Sequence, residues 1–446
     1  MVGAPNKPPE KRNWFLLAAV IFVAVSVCLH GCLLKRQRPA DEAVTLIFKH
    51  AKHPRYAALG VLLRQFEAEN PGVRVREEIL PASTDEQHQF YVINLAAGAD
   101  DFDLLDMDVI WVPEFARAGW LEDLTPHFGA AELAPLNRAA LQADWQPSKR
   151  DADWHQSKLY AVPWFVDAGV LYYRKDLLAK YGFESPQTYP DLLRVARKIL
   201  DGEKDPRLVG FVWQGMQYEG LVCASLEFIR GNGGEVLGRD GRPALTERQT
   251  IEALQFMSDL IRRDSVTPSL VTTLNEEAAR HVFQSGRSIF MRNWPYAWNL
   301  LNRQDSPMTG RVGMTLVPHF PGHPSAPTLG GFHLGVNANS RHKREAIAFL
   351  HFMLRNEVQK QVLLQLGVLP ADMRVYHDAE VRRSLSSLSG LLPALERAQP
   401  RPVTPYYMMI SQILQPELSA VVAGLRSPEQ AMESANRQVD HLLGPQ

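Results

Sequence analysis

Between Val162 and Leu178 the chain reads VPWFVDAGVLYYRKDLL. Valine, tryptophan, phenylalanine, tyrosine and leucine dominate, which is the composition of buried sheet. Asp167 stands in the middle of it. A carboxylate among apolar side chains is costly unless it is hydrogen-bonded. The stretch therefore predicts a strand region that carries one acid with a specific partner.

Upstream of it the pattern is strand, helix, strand. AVTLIF, Ala43 to Phe48, reads as a first strand. In ALGVLLRQFEAENPG, Leu59, Leu62, Leu63 and Phe66 fall at i, i+3, i+4 and i+7, the stripe of a helix lying on a sheet. Asn70-Pro71-Gly72 ends it, and VRVREEIL, Val73 to Leu80, is the next strand. This order predicts an α/β lobe with a mostly parallel sheet. In DFDLLDMDVIWVPEFARAGWLEDLTP, Leu104 to Met107 reads as a buried strand with Asp108 near its carboxyl end. Ligands of open α/β sheets bind beyond the carboxyl ends of strands, which makes Asp108 and Trp111 candidates by position. A calcium loop is excluded there, because its sixth-position glycine is missing.

Downstream the character repeats. YPDLLRVARKIL, QYEGLVCASLEFIRGNGGEVL, RQTIEALQFMSDLIRRD and NEEAARHVFQSG read as helices, and LVGFVWQG and SIFMRNWPYAW as strand segments. REAIAFLHFMLRNEVQKQVLLQLG reads as one long amphipathic helix, and the last ninety or so residues as helical with breaks at Pro400, Pro402 and Pro405. With 446 residues and 46% hydrophobic content the chain exceeds what one core usually organises, roughly 250–300 residues, so two lobes are expected. The formal net charge of −1 gives no electrostatic case for a nucleic-acid partner.

The first forty residues read as targeting rather than fold. Lys7, Lys11 and Arg12 precede the apolar run WFLLAAVIFVAVSVCL, Trp14 to Leu29. At about 20 apolar residues for a span, this run is short for a membrane helix and suits a signal segment. It ends in Leu29-His30-Gly31-Cys32, which resembles a bacterial lipobox with Cys32 as the lipidated residue; His30 departs from the small residue usual there. The alternative is an uncleaved signal anchor. Both readings place the rest of the chain outside the cytoplasm, after a polar tether over residues 33–42. Cys28 and Cys32 belong to this segment, so Cys223 alone remains in the body and no disulfide framework or cysteine-based zinc site is possible.

Enzyme signatures are absent: no Gly-x-Ser-x-Gly elbow, no phosphate-binding loop, no His-Glu-x-x-His. His50 and His53 are spaced to share a metal, but nothing else marks such a site, and neither metal nor cofactor is expected. What remains is a pairing of acids with rings. Trp111 follows Asp108, and Trp164 precedes Asp167. Trp213, Tyr218 and Glu219 share one strand-to-helix junction, Trp294, Tyr296 and Trp298 share one turn, and Gly330-Gly331-Phe332 is a close-approach turn beside a ring. A sugar offers an apolar C–H face to a ring and hydroxyl donors to a carboxylate. The set suits a polyhydroxylated ligand.

The same residues carry a family likeness. FEAENPGVRV, LLDMDVIWVPEFARAGWLEDLTP, LYAVPWFVDAGVLYYRKDLL, GFVWQGMQYEGLVC, FQSGRSIFMRNWPYAW, LGGFHLGVNANSRHKREAIAFLHFML and RPVTPYYMMISQILQ together resemble, in order, the extracellular solute-binding proteins of ABC sugar importers, in the maltose- and trehalose-binding branch. The resemblance implies a two-lobed periplasmic-binding-protein fold with the ligand in a cleft between the lobes. It implies a first lobe over about 43–155 and 313–352 and a second over about 160–310 and 353–446. It implies that Asp108 and Asp167 hold sugar hydroxyls, that Trp294 stacks on the sugar, and that Gly330, Gly331 and Phe332 complete the cleft. Two positions depart from the branch: His88 stands where relatives often have Arg, and Ala371-Asp372 where they often have Thr-Arg. Arg374 is the candidate to replace the second. The implied partners are a neutral sugar and the transmembrane subunits of an ABC permease, with a monomer held at the membrane and no catalysis. An extracellular glycan hydrolase, or a sugar sensor without a permease, is the alternative.

Overall fold

The computed structural model describes residues 1, 3, 43–53, 56, 59–147, 157–384 and 388–444. The apolar run Trp14–Leu29, the tether and Cys32 lie outside the described residues. Twelve strands are present among those described: β1 Val44–Ala51, β2 Val73–Leu80, β3 Leu104–Asp108, β4 Trp145–Pro147, β5 Ser157–Leu159, β6 Val162–Ala168, β7 Val170–Arg174, β8 Val209–Val212, β9 Ser288–Asn293, β10 Val312–Leu316, β11 Leu329–Val336 and β12 Leu369–Pro370. They form a six-stranded sheet in the order β12-β6-β11-β3-β1-β2, a four-stranded sheet in the order β10-β7-β9-β8, and the small pair β4-β5.

The predicted opening elements form where expected. Helix Leu59–Glu69 buries Leu59, Leu62, Leu63 and Phe66. Alternation along β1 sends Leu46 and Phe48 into one core cluster and Ile47 into another on the opposite face. Both faces of the large sheet are therefore covered, the layered arrangement of an α/β protein.

Three expectations need correction. The sheets are mixed, not mostly parallel. β1 runs parallel to β2 and β3, and β8 to β9, but β11 is antiparallel to both β3 and β6, and β7 to both β9 and β10. The lobe boundaries also move. β6 belongs to the large sheet, where it pairs with β11 and β12, so the first lobe reaches Ala168 and takes back Leu369–Pro370. β10 belongs to the small sheet because it pairs with β7. The strand region of Tyr160 to Arg174 is thus two strands in two lobes, divided at Gly169. A Cβ on Gly169 would lie 1.9 Å from Glu227 Oε1, part of a buried pair with Arg292, so the crossover needs glycine there. Finally, the long helix after Arg344 breaks. It spans Lys343–Leu354, Arg355 turns extended and pairs with Glu69, and a second helix starts at Asn356.

Candidate functional site

The topology sends β3 and β6 in one direction with β11 between them and opposed. Their register sets Asp108 opposite Phe332 and Asp167 opposite Gly330. Two strand ends and one strand start thus bring four of the expected residues into one row. Gly331 makes this possible. Its φ is +130°, and a Cβ would lie 2.6 Å from the Phe165 carbonyl oxygen. The register of β11 against β6 shifts just after it, between Phe332 and His333.

Above this row lies a cavity of about 200 Å³. For scale, an engineered cavity of roughly 150 Å³ holds benzene, so one six-membered ring fits comfortably. The first lobe supplies Asp108, Asp167, Gly330, Gly331 and Phe332, with Lys52 and His53 beyond β1. The second supplies Tyr218 and Glu219 at a helix start, Glu276 and Glu277 in the first turn of helix Glu276–Gln284, Trp294 and Tyr296 after β9, and Arg401.

The lobes touch across the cavity. Gly330 lets the Trp294 ring approach: a Cβ there would sit 3.1 Å from a ring carbon. The Arg292 guanidinium lies over that ring, 4.1 Å from its centre. His53 meets Tyr296 edge-on with ring centres 4.7 Å apart. Arg401 spans the lobes by bonding Asp108 Oδ1 at 2.6 Å and Glu219 Oε1 at 2.9 Å.

The carboxylates of the wall divide by partner. Glu219 also accepts hydrogen bonds from Tyr407, at 2.7 Å, and from Ser411. Burial raises its pKa and outweighs the opposing pull of Arg401, Ser411 and Tyr407. Tyr218 donates to Glu276 and Tyr296 to Glu277, each at 2.6 Å. Burial, reinforced by these acids, holds both phenols far above the ordinary tyrosine value, so they keep their protons. Burial also raises Glu277, but hydrogen bonds from Arg280 and Tyr296 prevail and hold it below the usual range. The wall is rich in acceptors and offers one half-buried indole face, a chemistry that receives hydroxyl donors and a C–H surface.

Asp108, Asp167, Tyr218, Glu219, Trp294, Tyr296, Gly330, Gly331 and Phe332 all line this cavity. Trp111 and Trp164 do not, which corrects both. The register of β6 against β11 passes from Phe165 to Pro163 and skips Trp164, which is the extra, unpaired residue of a bulge. Trp164 is fully buried and donates its indole N–H to Asp106 at 2.9 Å. Trp111 is fully buried against Tyr91, Phe115 and the edge of Phe332. Arg374 is spent on Asp372 at 2.6 Å and is absent from the wall, so it does not replace the missing arginine. His88 pairs with Glu114 at 2.7 Å. His50 bonds Glu77, away from His53, and among the described residues no group of three or more metal-ligating side chains occurs. Sequence reasoning missed Glu276, Glu277 and Arg401. Proline on both sides of Arg401 was the one local signal that this residue is held rigidly.

Comparison with known proteins agrees with this architecture. Residues 50–360 match the model of the bacterial extracellular solute-binding protein family. A probable ABC transporter-binding protein of Deinococcus radiodurans is 34% identical over 84% of this chain and 88% of its own length. The maltose-bound MalE3 of T. maritima is 37% identical with a TM-score of 0.83, covering 90% of this chain and 100% of that one. A solute-binding protein from Thermotoga lettingae bound to α-D-tagatose shares the fold, with 24% identity, a TM-score of 0.79 and coverage of 90% and 100%. The chain belongs to the bacterial extracellular solute-binding protein family.

Proposed function

We propose that this protein is the sugar-receiving subunit of an ABC importer, taking a neutral mono- or oligosaccharide of the maltose type in the cleft between its lobes. The observation that carries this is the cavity wall itself: Asp108 and Asp167 from one lobe face Trp294 from the other. Hydroxyls would donate to the carboxylates while the ring face lies on the indole. Contacts from both lobes favour the closed arrangement, and the closed form is what a permease would recognise. The match to maltose-bound MalE3 supports the ligand class. Cys32 is proposed as the lipidated anchor. The acid-rich wall disfavours anionic sugars.

Calorimetric titration with maltose, trehalose, glucose, mannitol, glucose 6-phosphate and glucuronate tests the reading. Saturable heat with one of the neutral compounds and none with the last two is expected. Tighter binding of an anionic compound would overturn the neutral-sugar reading and point to Lys52 as its contact.

A further inference from the structure

Arg292 is buried behind the cavity wall, with its guanidinium over the Trp294 ring that lines it. Nε and one terminal nitrogen bond the two oxygens of Glu227 at 2.8 and 2.6 Å, and the other terminal nitrogen bonds Gln214 Oε1 at 2.9 Å. A guanidinium gripped in this fork has its plane fixed. Glu227 is buried as well, and it is fixed by the chain crossings between the lobes. Its Oε1 accepts from the Thr328 N–H at 3.2 Å and leaves no room for a Cβ on Gly169. Gly169 in turn donates to the Thr328 carbonyl oxygen at 3.2 Å, so two crossings meet at this carboxylate. Tyr172 holds the Trp294 carbonyl at 2.9 Å, which anchors the backbone but not the ring. A buried ion pair adds little stability over apolar residues of the same shape, so stability alone is a weak reason for one here.

We propose that Arg292 is a positioning residue of the cleft: clamped by Glu227 to the two crossings, its guanidinium fixes the plane of the Trp294 ring on which a sugar stacks. This rests on the sugar-binding reading above. Arg292 touches no sugar in this role and acts only through the ring. Stacking requires the ring face to lie along the C–H face of the sugar. An indole free to turn about its side-chain torsions would lose that freedom on binding, and affinity would fall accordingly. A ring held beforehand avoids that loss. Thr328 lies just before Gly330, which the ring approaches, so the clamp also sets the ring against the strand that carries the opposite side of the cleft.

The test is a double-mutant cycle on the full chain in detergent, read by calorimetry with maltose or whichever neutral sugar of the panel gives the greatest heat. Arg292→Met combined with Glu227→Gln removes both charges together, so that neither is left buried and unpaired. With Trp294 present, this pair of substitutions should weaken the sugar roughly three- to tenfold; in a Trp294→Ala background it should change affinity by less than about twofold. The chain labelled with fluorinated tryptophan gives a second readout. The Trp294 signal, assigned by its loss in Trp294→Phe, should be one narrow line before sugar is added and should broaden or split in the paired variant. Equal weakening in both backgrounds would overturn the proposal, because the pair would then act by a route other than the ring, and so would unchanged affinity with Trp294 present. If the paired variant does not fold, Arg292→Lys, which keeps the charge but loses the planar fork, enters the same cycle. A Trp294 signal already broad or split in the unaltered, sugar-free protein would overturn the proposal without any variant. No heat with any neutral sugar of the panel would instead overturn the sugar reading, and the role of Arg292 in binding with it.

Discussion

Asp167→Asn keeps the shape of the side chain and removes its charge. A hydrogen bond to a charged group contributes about 1.5–3 kcal/mol, so sugar affinity is expected to fall roughly ten- to a hundredfold. Trp294→Ala should cost a comparable amount through the lost ring face. Titration of both variants checks this, and unchanged affinity in both would remove the cleft assignment. Glu219 gives a pH prediction. Its folded pKa is raised, so between the unfolded value, about 4.3, and the folded one the native state holds more protons than the unfolded chain. Stability therefore falls as pH rises through that window. Glu219→Gln removes the titration, and the thermal midpoint of the wild type relative to this variant should decline from pH 4 upward. A flat difference would contradict the sign. At this scale the acids were legible because each stands beside a ring near a strand end. Trp111 and Trp164 were misread because proximity in sequence does not say which face a ring occupies. Arg401 was invisible because it is 293 positions from Asp108, and only folding brings the two together.

The strand β11 is the element on which the site depends. Gly331→Ala must place a Cβ 2.6 Å from a carbonyl oxygen at a φ of +130°. Strain of this kind costs about 1–3 kcal/mol. The thermal midpoint is expected to drop by several degrees, at about 2–4 °C per kcal/mol for domains of this size, and sugar affinity should fall as Phe332 and Gly330 shift. A midpoint and affinity equal to the wild type would show that the backbone there is relaxed. The first strands and helices were legible because their apolar periods were unbroken. The direction of β11 was not, because a strand's sequence does not state its sense. The break at Arg355 was equally hidden, since the apolar pattern runs on through it while the backbone turns to pair with Glu69.

At the scale of the molecule, the chain passes from the large sheet to the small one at Gly169, returns between β10 and β11, and leaves again after β12. The sequence indicated two lobes through its length. It could not locate the crossings, because β6 and β7 form one apolar run and differ only in their partners. No described helix is long and apolar enough to cross a membrane. Cys32→Ser should abolish incorporation of labelled fatty acid and leave uncleaved precursor. A wild type that takes up no label would instead favour a signal anchor. The central claim is that a neutral sugar sits between the lobes, and a crystal structure of the protein with whichever neutral sugar gives the greatest heat tests it most directly. The account predicts sugar density within hydrogen-bonding distance of Asp108 and Asp167 with one ring lying on Trp294. Density elsewhere, or a cleft without sugar at saturating concentration, would contradict it.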